Sequence, residues 1–158
     1  PGRAAFEEAV RLCSAALAAH DDADTHNLLA QMYSLTAADD RAAAHHFERE
    51  VEIRGKLLAL PRNRAGPTAA RLAFQLSNAE YFLALAQLNL GRREEGLRGL
   101  EAWASRGATE VERERRRQEV RQEVRQAAEV LDAMGGRRNV NVRFGISAGP
   151  PPADGEEG

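Results

Sequence analysis

The stretch SNAEYFLALAQLNLGRREEGLRGLEAW, Ser77 to Trp103, holds two apolar-striped segments on either side of Gly91 and the charged run Arg92-Arg93-Glu94-Glu95. A solitary helix has no use for such punctuation, whereas two antiparallel helices in a repeated array need a short turn of this kind. No Pro or Gly interrupts Thr68 to Leu90, so one long helix is expected there, closed by Gly91 and followed by another from about Arg92 to Ser105.

The same alternation extends outward. Phe6, Ala9, Leu12, Cys13, Ala16 and Leu17 carry the spacing of an amphipathic helix that stops at His20-Asp21-Asp22. Asp24 or Thr25 is placed to cap the next helix, whose stripe is Leu28, Leu29, Met32, Tyr33 and Leu35. After TAADD, a third stripe of Ala43, Ala44, Phe47, Val51, Leu57 and Leu58 ends before Pro61. PRNRAGP reads as a loop, with Pro67 suited to a helical first turn. Beyond Gly107 a very polar helix runs to Gly135-Gly136. Val140, Val142, Phe144 and Ile146 then alternate like a strand, before a Pro/Gly-rich acidic end expected to be flexible.

Composition bounds the chemistry. The chain has 158 residues, 43% hydrophobic and 29% charged, enough to bury a core while remaining hydrated. Aromatics at 5% and abundant alanine favour close-packed helices over a β-sandwich. A net charge of −2 supplies no global basic field for nucleic acid or an anionic membrane. No apolar run approaches the roughly 18 residues of a membrane span. The single Cys13 forbids an internal disulfide and points to a reducing, cytoplasmic setting. The opening Pro1, in place of an initiator Met, reads as an excerpt of a longer protein.

The candidate sites are few. Adjacent His45 and His46 point about 100° apart on a helix and read as ordinary surface residues rather than metal ligands. Cys13 reads as a packing residue. A Gly-rich phosphate loop, a nucleophile elbow and an HExxH pair are all missing, so neither catalytic residues nor a cofactor or metal is expected. In ERERRRQEVRQEVRQ the basic Arg113, Arg116, Arg117 and Arg121 interleave with Glu112, Glu114, Glu119 and Glu123 and lack aromatic neighbours. That pattern is a solvated helix with i,i+4 pairs rather than a nucleic-acid surface. Val120, Val124, Ala127, Leu131 and Met134 form a narrow heptad seam, expected to cap the preceding helices or to join a second chain.

Two helix pairs share a pattern. Leu29-Ala30-x-x-Tyr33 is followed by Ala43-x-x-x-Phe47, and Leu83-Ala84-x-x-Gln87 by Gly91 and Gly96-x-x-x-Leu100. Ala9-x-x-x-Cys13 looks like the second half of an earlier unit. Small residues at Ala30, Ala43, Ala84 and Gly96 let helices approach closely, while Leu29, Leu83, Tyr33 and Phe47 fill the flanking space.

On these residues the chain resembles the tetratricopeptide-repeat (TPR) family over about Phe6 to Arg106. Leu29 and Leu83 stand 54 residues apart against roughly 34 in the standard unit, similar to the extended repeats of kinesin-light-chain-like and bacterial signalling proteins. Gln87 replaces the family's Tyr, and Ala108-Thr109 stands where its Pro is usual. The resemblance implies an all-α solenoid of antiparallel helix pairs over residues 1–107. A long charged capping or coiled-coil helix follows over 108–136, and an extended tail over 137–158. It also implies a non-enzymatic scaffold or adaptor, binding a protein or peptide partner through a groove. The matching groove positions are Asn27, Gln31, Ser34, Arg71, Gln75 and Asn78, whose carboxamides can hydrogen-bond a peptide backbone. Alternatives are a complex or oligomer subunit assembled through the last helix, or a regulatory module of a larger signalling enzyme.

Overall fold

The computed structural model describes residues 2–133. Among these every regular element is helical: α1 (Gly2–Ala19), α2 (Ala23–Met32), a π-helical turn (Tyr33–Ala37), α3 (Asp40–Ala59), a 3-10 turn (Pro61–Asn63), α4 (Gly66–Asn89), α5 (Arg93–Ser105) and α6 (Glu110–Ala133). Helices therefore fall where the apolar periodicity placed them. The all-α class holds, and neighbouring helices pack on one another. Met134, Gly135-Gly136, the alternating Val140–Ile146 segment and the acidic end lie outside the described residues.

Local chemistry sets the boundaries. Asp22, rather than Asp24 or Thr25, is the α2 cap: its carboxylate accepts from the Thr25 N–H at 2.9 Å and from the Thr25 hydroxyl at 2.8 Å. Asp39 does the same for α3 through the Ala42 N–H at 3.0 Å. Asp24 instead sits in the first turn of α2, where a carboxylate favours the helix dipole. The α2 helix widens into the π turn and ends at Ala38, whose φ of 54° is left-handed, with the Asp39 N–H returning to the Tyr33 carbonyl. α4 ends at Gly91, with φ 78°, as its sequence position suggested.

The described residues fall into two compact units that part between Ala79 and Glu80, inside α4. In the first, α2 packs along α3 and α1 lies against α2. The α3 seam reads Asp40, Ala43, Phe47, Glu50, Arg54, steps of three and four that are all buried. The α2 seam is Ala23, His26, Leu29, Ala30, continued by Ser34 in the π turn. Ala30 and Ala43 are fully buried, as required of small residues at a close helix contact. Helix α1 is covered more lightly: Phe6, Ala9, Val10, Cys13 and Leu17 are half-buried and Leu12 is exposed.

In the second unit Tyr81, Phe82, Ala84, Leu85 and Ala86 of α4 and Gly96, Leu100, Trp103 and Ala104 of α5 are buried, and the Tyr81 and Trp103 rings meet with centroids 4.5 Å apart. Backbones come so close here that a Cβ on Gly96 would lie 2.6 Å from Leu88 Cγ and 2.9 Å from the Ala84 carbonyl oxygen. One on Gly99 would meet Ala84 Cβ at 2.9 Å. Helix α6 docks here through Arg116, whose guanidinium lies 4.7 Å over the Trp103 ring and donates to the Trp103 carbonyl at 2.9 Å. Other charges pair along the helix, among them Glu110–Arg113 and Glu114–Arg117, and Arg116 also pairs with Glu112.

Candidate interaction site

The polar seam between α2 and α3 concentrates the first unit's chemistry. Burying Glu50 and Arg54 on the packed face of α3 costs both groups their hydration, and each is answered by specific partners. Arg54 Nε donates to Glu50 at 2.8 Å, one guanidinium nitrogen to Asp24 at 2.8 Å and the other to the Gln75 carbonyl at 3.0 Å. Asn27 Nδ2 donates to both Glu50 oxygens, at 3.2 and 3.0 Å, and Gln31 Nε2 donates to Asn27 Oδ1 at 2.6 Å. Burial pushes the Glu50 carboxyl up, against the opposing pull of Arg54 and Asn27.

Three of the positions aligned with the family's groove, Asn27, Gln31 and Gln75, thus meet in one hydrogen-bonded chain around Glu50 and Arg54. The other three are placed separately. Ser34 is buried on the α2 seam, Asn78 is half-buried on α4, and Arg71 is exposed there beside the exposed Phe74. Leu28 on α2 and Leu35 in the π turn that continues it are 50% and 51% exposed, with the half-buried Gln31 between them in the sequence.

A second cluster went unremarked in the sequence. His26 is buried on the α2 seam, and its Nδ1 lies 2.9 Å from Nδ1 of His46 on α3. Its Nε2 lies 2.7 Å from Asp21 Oδ1, and Asp21 is also held by Arg49. Tyr33 stacks on His46, with rings 7° from parallel and centroids 5.7 Å apart, and Phe6 of α1 meets Tyr33 edge-on. His45 is exposed, as a surface histidine should be. His46 is half-buried, and burial, with His26 and His45 nearby, lowers its pKa to about 4. The spacing 23, 26, 30 on an otherwise apolar seam was the available signal for His26. Cys13 is half-buried.

In the second unit Tyr81 donates to Glu119 over 3.4 Å, and Glu123 lies one turn further along α6. Burial pushes both carboxyls and the Tyr81 phenol up, and Glu119 adds to the shift of Glu123. Glu101, Ala104, Ser105, Arg117, Val120 and Arg121 line a cavity of about 300 Å³ between α5 and α6. Among the described residues no group of three or more His, Cys, Asp or Glu side chains converges as metal ligands. No helix among them is long and apolar enough to cross a membrane. Comparison with protein-family models, with curated proteins and with solved structures found no match to this chain.

Proposed function

We propose that the chain is a TPR-like helical adaptor, without catalytic activity of its own, that recruits a protein partner through the outer side of α2. The observation that carries this reading is the Leu28–Gln31–Leu35 stripe backed by a fixed polar network. Gln31 spends its amide nitrogen on Asn27, which is anchored to Glu50, so its carbonyl oxygen is oriented in advance to accept a backbone N–H. Two half-exposed leucines, Leu28 on α2 and Leu35 in the π turn, stand on either side of that acceptor in the sequence. A peptide or helix presenting apolar side chains and a polar backbone edge complements this arrangement. The fully buried Ala30 and the tight Ala84–Gly96 approach support paired-helix packing of the repeat kind. Cytoplasmic residence accords with the lone, half-buried cysteine.

The second half of the reading concerns α6. Arg116 on Trp103 and Tyr81 on Glu119 engage its first turns within their own unit. This supports a capping helix over one that assembles subunits.

The test is site-specific photocrosslinking in cell extract from positions 28 and 35, with position 111, where Val111 is 81% exposed, as the reference. The same protein should be captured at 28 and 35 and not at 111, and Gln31→Ala should weaken its capture. Equal capture at all three positions, or none at 28 and 35, removes the reading.

A further inference from the structure

We propose that His26 and His46 form a single-proton latch on the α2–α3 seam, closed while one proton lies between their Nδ1 atoms and opened by the arrival of a second. The geometry dictates the proton inventory. Asp21 Oδ1 lies 2.7 Å from His26 Nε2, so that nitrogen carries a hydrogen, and the carboxylate, steadied by Arg49, keeps the ring oriented. The Nδ1–Nδ1 separation of 2.9 Å is a hydrogen-bond length and admits one hydrogen. With both rings neutral, His46 Nδ1–H donates to the bare His26 Nδ1. Adding a proton at His46 Nε2 makes the pair singly charged and still leaves one hydrogen between the two Nδ1 atoms, now held on His26, whose charge the Asp21 carboxylate offsets. A further proton must go to the remaining Nδ1 lone pair, setting two N–H groups and two cations head to head.

The neighbourhood gives that second proton little help. Asp21 is the carboxylate bonded to the pair, and it is shared with Arg49. On α3, His45 lies beside His46 with ring centroids 5.2 Å apart, and Glu50, one turn on, is committed to Arg54 and Asn27. The π turn offers the Tyr33 ring, and α1 reaches the cluster through Phe6 on Tyr33. The low pKa of His46, about 4, agrees with such a pair. When the rings separate, the Tyr33–His46 stack parts with them, and α1, which contributes no fully buried residue, loses its aromatic anchor. The latch thus couples acidification to exposure of the α1 stripe of Phe6, Val10, Cys13 and Leu17.

Cys13, half-buried and the chain's single thiol, reports the opening. In the full 158-residue chain, labelling by a dithiodipyridine reagent is followed as pH falls, normalised to a free cysteine peptide, with far-UV circular dichroism alongside. Wild type should label about tenfold faster or more near pH 4 than near pH 7, with helicity retained. His46→Asn, whose amide can donate to His26 without titrating, should change by less than about twofold. Equal acid profiles for wild type and His46→Asn overturn the latch. Should that variant fail to fold, imidazole proton–nitrogen correlation NMR of wild type near neutral pH decides. A hydrogen on His46 Nδ1 bonded to His26 supports the latch. Two imidazoles titrating independently near the ordinary value of 6.5 overturn it.

Discussion

Replacing Arg54 by Met would strand the Glu50 carboxylate, which is 1% exposed, with Asn27 as its remaining recorded donor. A buried carboxylate in that position takes up a proton rather than remaining charged. From the ordinary value of 4.5, proton uptake at pH 7 costs about 3.4 kcal/mol, at 1.36 kcal/mol per pH unit. That figure is a ceiling, because burial already raises the Glu50 carboxyl in the native pair and wild type carries part of the cost itself. The expected loss for Arg54→Met is therefore about 2–3 kcal/mol at pH 7, falling below about 1 kcal/mol near pH 5, where the proton is nearly free. The sign follows from linkage. A carboxyl held above its unfolded value favours folding at low pH, and that contribution is lost as pH rises through the folded value. The double variant Glu50→Gln, Arg54→Met leaves a neutral amide that still accepts from Asn27, and should return to within about 1 kcal/mol of wild type. Urea unfolding monitored by circular dichroism at both pH values measures all three. A downward shift in midpoint of about 1 M is expected for the single variant at pH 7. A pH-independent loss, or a double variant as weak as the single, refutes the account of Glu50 as a charge neutralised by Arg54.

Two glycines in helix interiors should respond oppositely to alanine under thermal or urea unfolding. Gly55→Ala meets no atom within 4 Å and should stabilise by about 0.5–1 kcal/mol, while Gly96→Ala drives its Cβ into Leu88 and should cost about 1–3 kcal/mol. Glu123→Gln removes one of two half-buried carboxyls whose values burial raises. It should stabilise by about 0.5 kcal/mol at neutral pH after allowance for solvent screening, with the gain vanishing on acidification. Asp22→Ala deletes the α2 cap and should cost about 1 kcal/mol, whereas Asp24→Ala leaves the cap intact. A larger loss for Asp24→Ala on the cap-sensitive early amides in hydrogen exchange contradicts the assignment.

Apolar periodicity made the helices legible, and small residues marked where two of them meet. Gly96 opposite Ala84 is a steric necessity visible in the bare pattern. The polar contents of the seams were harder to see. Asp40, Glu50 and Arg54 continue the three-four spacing of Ala43 and Phe47, yet charge suggests solvent, and spacing proved the better guide. His26 was hidden similarly among Ala23, Leu29 and Ala30. The π turn was not legible at all, since the left-handed residue that ends it is Ala38 rather than the glycine a reader looks for. Asn27, Gln31 and Gln75 share the carboxamide chemistry that singled them out. Spacing along one helix carries no record of how Arg54 gathers Asp24 from α2 and Gln75 from α4.

The polar seam also explains how an alanine-rich helix pair keeps its register. Alanine and leucine seams resemble themselves one heptad along, so apolar packing alone discriminates weakly against a slip. Moving α2 by seven residues along α3 would set His20 or Ser34 opposite Glu50 in place of Asn27. It would set Leu17 or Gln31 opposite Arg54 in place of Asp24, and Ala19 or Tyr33 opposite His46 in place of His26. Leu17 and Ala19 remove a partner outright, at about 1–3 kcal/mol apiece, and Gln31 in place of Asp24 removes the charge that answers Arg54. The native register is thereby separated from its neighbours by more than apolar contacts provide. The Asn27–Glu50 pair also holds Gln31 through Asn27, so a group that fixes the fold of the first unit also orients the acceptor proposed for its partner.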